Sequence, residues 1–171
     1  VYPMTAVDEI TYRTPDALFN GTSITEVIQS CMPSIKDAWA IPSIDLDTIL
    51  SAIRIATYGH TLEIGTTCPK CEEEAEYGVD LRKIIEQLDI GEYDSSINSG
   101  DLEIHIKPLT YKDINESSLV QFEEQKIASV LEDTEMSEEE KLKLLSKTFK
   151  KISEVTITTI SKSIEYIKTP E

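Results

Sequence analysis

The chain is poor in the residues that most catalytic sites depend on. Two histidines, three cysteines, one tryptophan and six glycines are spread over 171 residues. No glycine-rich phosphate loop ending in Lys-Ser/Thr is present, no His-Glu-x-x-His helix and no Gly-x-Ser-x-Gly turn. These absences speak against nucleotide hydrolysis, zinc-dependent proteolysis and serine hydrolase chemistry of the familiar kinds. Acid pairs such as Asp8-Glu9 and Asp45-Asp47 read as surface charge and helix caps rather than a hydrolytic dyad. No apolar run reaches the roughly 18 residues that a membrane-spanning helix needs. No signal peptide is visible, and the start at Val1 rather than Met predicts either an upstream segment or processing.

Basic residues are also scarce. Sixteen Lys and Arg face 32 Asp and Glu, a net charge of −16. A phosphate-backbone binder needs clustered cations, so nucleic acid is not the expected partner. The acidic runs CEEEAE and EDTEMSEEE read as solvated surface and helix N-terminal charge, with a basic protein partner as the other use. An odd count of three cysteines suits a reducing cytoplasm better than a disulfide framework. Cys31 lies in an apolar-patterned segment and reads as a small buried hydrophobe. Trp39, in IKDAWAIP, reads as a core or interface anchor.

What is present is a core and a change of period. Apolar residues make up 40% of the chain, enough for one domain, or a small domain with helical extensions. Thr14-Pro15-Asp16 predicts a helix start, closed at Asn20-Gly21. Ser23-Ile24-Thr25-Glu26 reads as a capping box opening a helix that stops before Pro33. Leu46, Ile49, Leu50 and Ile53 recur at helical spacing, and Gly59 ends that helix. HTLEIGTT and EEEAEYGVDL then alternate apolar and polar residues on either side of Cys68-Pro69-Lys70-Cys71, the pattern of a hairpin. Asp80 can cap a helix through LRKIIEQLD, and YDSSINSG is a loop by composition. DLEIHIKPL predicts a strand able to join the hairpin, with His105 facing solvent between Ile104 and Ile106.

From Thr110 onward the pattern is helical. The first helix should turn Ile114, Leu119, Phe122, Ile127 and Val130 inward, and EDTEMS should break it. Ser137-Glu138-Glu139-Glu140 is a second capping box. The last helix carries Leu142, Leu145, Phe149 and Ile152, then Ile157, Ile160, Ile164 and Ile167, as an apolar stripe. Such a stripe is either an internal core face or a surface for a partner or a second copy. The β-branched run EVTITTIS leaves a strand there as the weaker alternative. The expected fold is therefore α+β: a helical N-terminal unit, a small antiparallel sheet bearing the Cys-x-x-Cys hairpin, and long C-terminal helices. Residues 1–110 form the expected core domain and 111–171 a helical region.

Cys68 and Cys71 pose a chemical question. A redox dithiol wants its first cysteine at a helix N-terminus, where the dipole favours the thiolate. Here the pair sits between strands and precedes three glutamates, which oppose ionisation. A Cys-Pro-x-Cys turn between strands suits half of a tetrahedral zinc site better. Cys31 and His105 are the candidate further ligands, and a second copy could supply two thiolates. His60 lies about 25 Å away along an extended strand, too far to reach the turn. A bare turn without metal is the competing reading.

The segments VYPMTAVDEI, TPDALFNGTSITEVIQSCMPSI and ILSAIRIATYGHTLEI, followed by CPKC and YGVDL, resemble the baseplate hub assembly proteins of T4-like contractile-tailed phages. The similarity covers residues 1 to about 110 in order, with TPDALFNGTSITEVIQSC its most specific part. Members usually carry an N-terminal arm before VYPMTAVDEI. The resemblance implies a non-enzymatic part in building the baseplate hub, through contacts with other tail and baseplate hub proteins, in the virion and in the host cytoplasm during assembly. Two alternatives differ in class: a transient tail-assembly chaperone absent from the mature particle, and a small zinc-binding adaptor.

Overall fold

The computed structural model describes residues 1–15, 17, 20–88, 94–132 and 137–170. It is α+β as expected, with two separate antiparallel sheets. The chain divides into two compact units, Val1–Ala38 with Ile44–Glu92, and Trp39–Ser43 with Tyr93–Glu171.

The first unit opens with helix α1 (Ala6–Tyr12), which the sequence reading missed. Its signal is a capping box: the Thr5 hydroxyl accepts the Asp8 N–H, and the Asp8 carboxylate accepts the Thr5 N–H at 2.7 Å. Tyr2 N–H donates to the Cys31 carbonyl, and Met4 N–H to the Thr57 hydroxyl. These bonds tie the leading segment to α2 (Thr22–Cys31) and α3 (Leu46–Tyr58). Val27, Ile28, Cys31 and Ile53 form the buried centre.

The proposed cap at Ser23 is not there. Gly21 is the N-cap, in the left-handed conformation at φ 78°, and the Asn20 side chain receives the Thr22 N–H. Helix α2 therefore begins two residues earlier, and Ser23 is turned inward, fully buried. Its hydroxyl finds no partner among the described residues. An orphaned buried hydroxyl costs desolvation energy with no bond in return. Ser23→Ala is expected to leave the melting temperature unchanged or raise it. The helix expected from Thr14 falls largely outside the described residues, and the Thr14 hydroxyl donates back to the Ile10 carbonyl.

Strands β1 (Thr61–Thr67) and β2 (Glu74–Asp80) form the hairpin, pairing Thr61 with Asp80 through to Thr67 with Glu74. Asp80 caps α4 (Leu81–Gln87) through the Arg82 N–H, as expected. The Arg82 guanidinium, at 2.7 Å, holds the Asp80 carboxyl down at about 2.

In the second unit β3 (Ser96–Ser99), β4 (Leu102–Ile106) and β5 (Ile164–Lys168) form a sheet in that order. Two expectations change here. The 102–106 strand does not join the cysteine hairpin; it pairs with β3 and β5. The YDSSINSG segment, polar enough to read as a loop, supplies β3, with Gly100 at φ 60° turning the chain into β4. Trp39 is an internal anchor, its ring stacked 5.3 Å from that of Tyr111. Around it Tyr111 N–H donates to the Ile41 carbonyl and Ser43 N–H to the Leu109 carbonyl.

Two long helices complete this unit, α5 (Tyr111–Glu132) and α6 (Glu138–Ser163). The Ser137–Glu140 capping box opens α6 as the sequence indicates. The β-branched run at 154–161 is helical, and the helix stops at Ser163. Ile164 and Ile167 therefore leave the helical stripe and lie on β5, opposite Ile106 and Ile104. The reason is edge pairing: β4 has a free side, and IEYIK has strand-forming residues to fill it.

Candidate functional site

The helices α5 and α6 run antiparallel, as three cross-links show. Lys162 Nζ is 2.9 Å from Asp113, the Thr159 hydroxyl is 3.3 Å from Ser117, and Lys151 Nζ is 2.6 Å from Glu124. The seam thus carries ion pairs and a hydroxyl contact among its apolar residues. On α5 the positions turned inward are Asp113, Ser117, Val120 and Glu124, and on α6 they are Leu145, Thr148, Ile152, Val155 and Thr159. The Glu124 side chain is only 5% exposed, yet its carboxyl is held below the ordinary range by the Lys151 ammonium and the Thr148 hydroxyl. The inward α5 stripe expected from its apolar residues is corrected accordingly: Ile114, Phe122 and Ile127 are exposed, and Leu119 is half-buried. The side chain of Val130 lies outside the described residues.

The apolar residues of α6 divide between two faces. Leu145, Ile152 and Val155 are half-buried, on the same helical face as Thr148 and Thr159. Leu142, Phe149, Ile157 and Ile160 form a second stripe on the outer side, with exposures from 59% to 67%. Of the four isoleucines picked out in the sequence, Ile157 and Ile160 belong to this stripe. Ile167 is exposed on β5, and Ile164 is half-buried.

Asp113 secures the seam at one end. It accepts from the Thr110 hydroxyl and N–H at the start of α5, and it pairs with Lys162 in the last turn of α6. The Thr110 hydroxyl, then Lys162, hold its carboxyl down at about 2 against an ordinary 3.8. A carboxyl depressed by folding stabilises the native state fully above the unfolded value, and that stabilisation is lost as pH falls through the folded one. Acid unfolding of the native chain should therefore draw on this group between about pH 4 and 2. Asp113→Ala should remove that contribution and cost roughly 1–3 kcal/mol at neutral pH for the lost charged hydrogen bonds to Thr110 and Lys162. Urea titrations at pH 7 and pH 3 check both.

The cysteine turn is the second candidate site. Cys68 N–H donates to the Glu73 carbonyl and Glu72 N–H to the Cys68 carbonyl, both at 2.9 Å. The N–H groups of Lys70 and Cys71 and the Cys71 thiol point at the Cys68 sulfur, and they bring its pKa below that of a free thiol. Among the described residues no group of three or more His, Cys, Asp or Glu is arranged to hold a metal. Cys31, a candidate third ligand, is buried in α2, and burial pushes its thiol up, toward the neutral form. His105, the other candidate, is not solvent-facing as expected. Its side chain is 15% exposed, 2.8 Å from Glu103 and stacked on Tyr166.

No helix among the described residues is long and apolar enough to cross a membrane. The family model described as T4 bacteriophage base plate protein matches residues 6–171. The chain belongs to that family. The match takes in both units, including the C-terminal helices that carried no resemblance in the sequence. No curated protein and no solved structure matches the chain. As a phage baseplate protein it has a structural role in the virion tail, among other tail and baseplate proteins.

Proposed function

We propose that this baseplate protein is a component of the central hub, acting through protein–protein contacts and without catalysis. The outer stripe of α6, Leu142, Phe149, Ile157 and Ile160, is the surface that a neighbouring hub protein covers. One observation carries this reading: α5 and α6 keep ion pairs in their seam while four large apolar side chains of α6 face water. A helix pair that ends its life in solvent places such residues the other way round. The high negative charge adds orientation, since a basic surface on the neighbour would be steered toward it.

Quantitative gels of purified phage particles test the proposal. The chain is expected at a fixed, stoichiometric copy number. Its absence from finished particles, with accumulation in infected cells before tails appear, would replace the hub reading with that of a transient assembly chaperone using the same stripe.

A further inference from the structure

We propose that the Cys68–Cys71 turn is one half of a tetrahedral zinc site, completed by the same turn of a second copy of this chain. The inference stands on the turn and the hairpin and does not depend on the hub reading. The two cysteines sit together in the turn at the end of the β1–β2 ribbon, Cys71 exposed and Cys68 partly so. Glu72, directly after the pair, adopts φ 57°, an uncommon conformation for a residue with a side chain. That backbone turns the chain so that Cys68 N–H reaches the Glu73 carbonyl and Glu72 N–H the Cys68 carbonyl.

The ribbon itself gives the second argument. Leu62, Ile64, Ala75, Tyr77 and Val79 share one face, by register. Leu62 and Val79 are half-buried, but the opposed pair Ile64 and Tyr77 is exposed at 44% and 59%. A two-stranded hairpin with little packing is marginal in water. A metal at its tip would staple it, and a second ribbon brought alongside would cover Ile64 and Tyr77. Zinc bound by thiolates alone takes four, and no third ligand from this chain joins the pair among the described residues. A second copy supplies the missing two thiolates with the same geometry. On binding, each thiol that is still protonated gives up its proton, and the four-thiolate site carries a formal charge of −2.

The test uses the full chain under reducing conditions, titrated with zinc and, for its spectrum, with cobalt(II). Zinc content by mass spectrometry and molar mass by light scattering are read on the same samples. The expected result is half an ion per chain, a doubling of mass that requires the metal, and the absorption of a four-sulfur tetrahedral cobalt site. Cys68→Ser with Cys71→Ser should lose all three while keeping the far-UV dichroism of the parent. Glu72→Gly, which keeps both thiols and relieves the backbone, should retain half an ion per chain. No uptake, or one ion per chain without a change of mass, would overturn the proposal. So would a doubling that persists in the double serine variant.

Discussion

Ile157→Asp combined with Ile160→Asp is expected to abolish incorporation of the chain into particles while leaving the isolated protein folded. Both side chains are mostly in water, at 67% and 59% exposure, so a carboxylate there meets no packing in the free chain. Substitutions at exposed positions usually stay within about 0.5 kcal/mol of the parent. In a covered interface the same two carboxylates would be desolvated without partners, each costing several kcal/mol. Affinity should therefore fall by a factor on the order of a thousand or more. Ile164→Asp serves as the contrast, because Ile164 is half-buried on β5 opposite Ile106 and its loss should lower stability first. Thermal melting separates the two cases, and co-purification with particles reads the interface. Normal incorporation of the double variant would show that the outer stripe is not a contact.

The largest effect on stability is expected at Ile28. Its side chain is fully enclosed, with Val27 and Cys31 beside it on α2. Truncating a buried isoleucine to alanine removes apolar burial and leaves a cavity, together costing about 2–5 kcal/mol. That is a large share of the 5–15 kcal/mol typical of a domain. Ile28→Ala should thus lower the unfolding temperature by on the order of 10 °C or more. Ile10→Ala, at an exposed position of α1, removes the same atoms from water and should change little. Equal effects of the two substitutions would mean that α1 is covered in solution.

The sequence makes the local devices legible and leaves the distant pairings hidden. Asp80, Ser137 and Thr110 announce helix starts because a cap depends on residues two or three positions apart. The hairpin around Cys68 and Cys71 is visible for the same reason: its strands are neighbours in sequence and alternate cleanly. Strand β3 is hidden because Ser96, Asn98 and Ser99 have weak strand propensity and are held by pairing with β4. The helical period in the last segment correctly marks an amphipathic helix, but it cannot tell which apolar residues meet α5. Leu142 and Phe149 satisfy the period as well as Leu145 and Ile152 do. The inward face of α5 escapes a hydrophobic search because Asp113 and Glu124 occupy it, made tolerable by Lys162 and Lys151 on the other helix. Only the partner chain segment, more than twenty residues away, reveals that compensation.

The sheet of the second unit also sets the order in which the molecule can become complete. Its central strand β4 leaves a ribosome long before β5, and Lys168 reaches Glu103 across 65 residues of sequence. Loop closure over that span is entropically costly, so β4 keeps one edge open while α5 and α6 are synthesised. An open strand edge is a template for wrong pairing until the last residues arrive to cover it. The closing strand is continuous with α6, the helix that bears the outer apolar stripe. Finishing the sheet and fixing the end of that helix are thus a single late event. Hydrogen exchange on chains cut after Ser163 would show it as lost protection of the β4 amides that bond to β5.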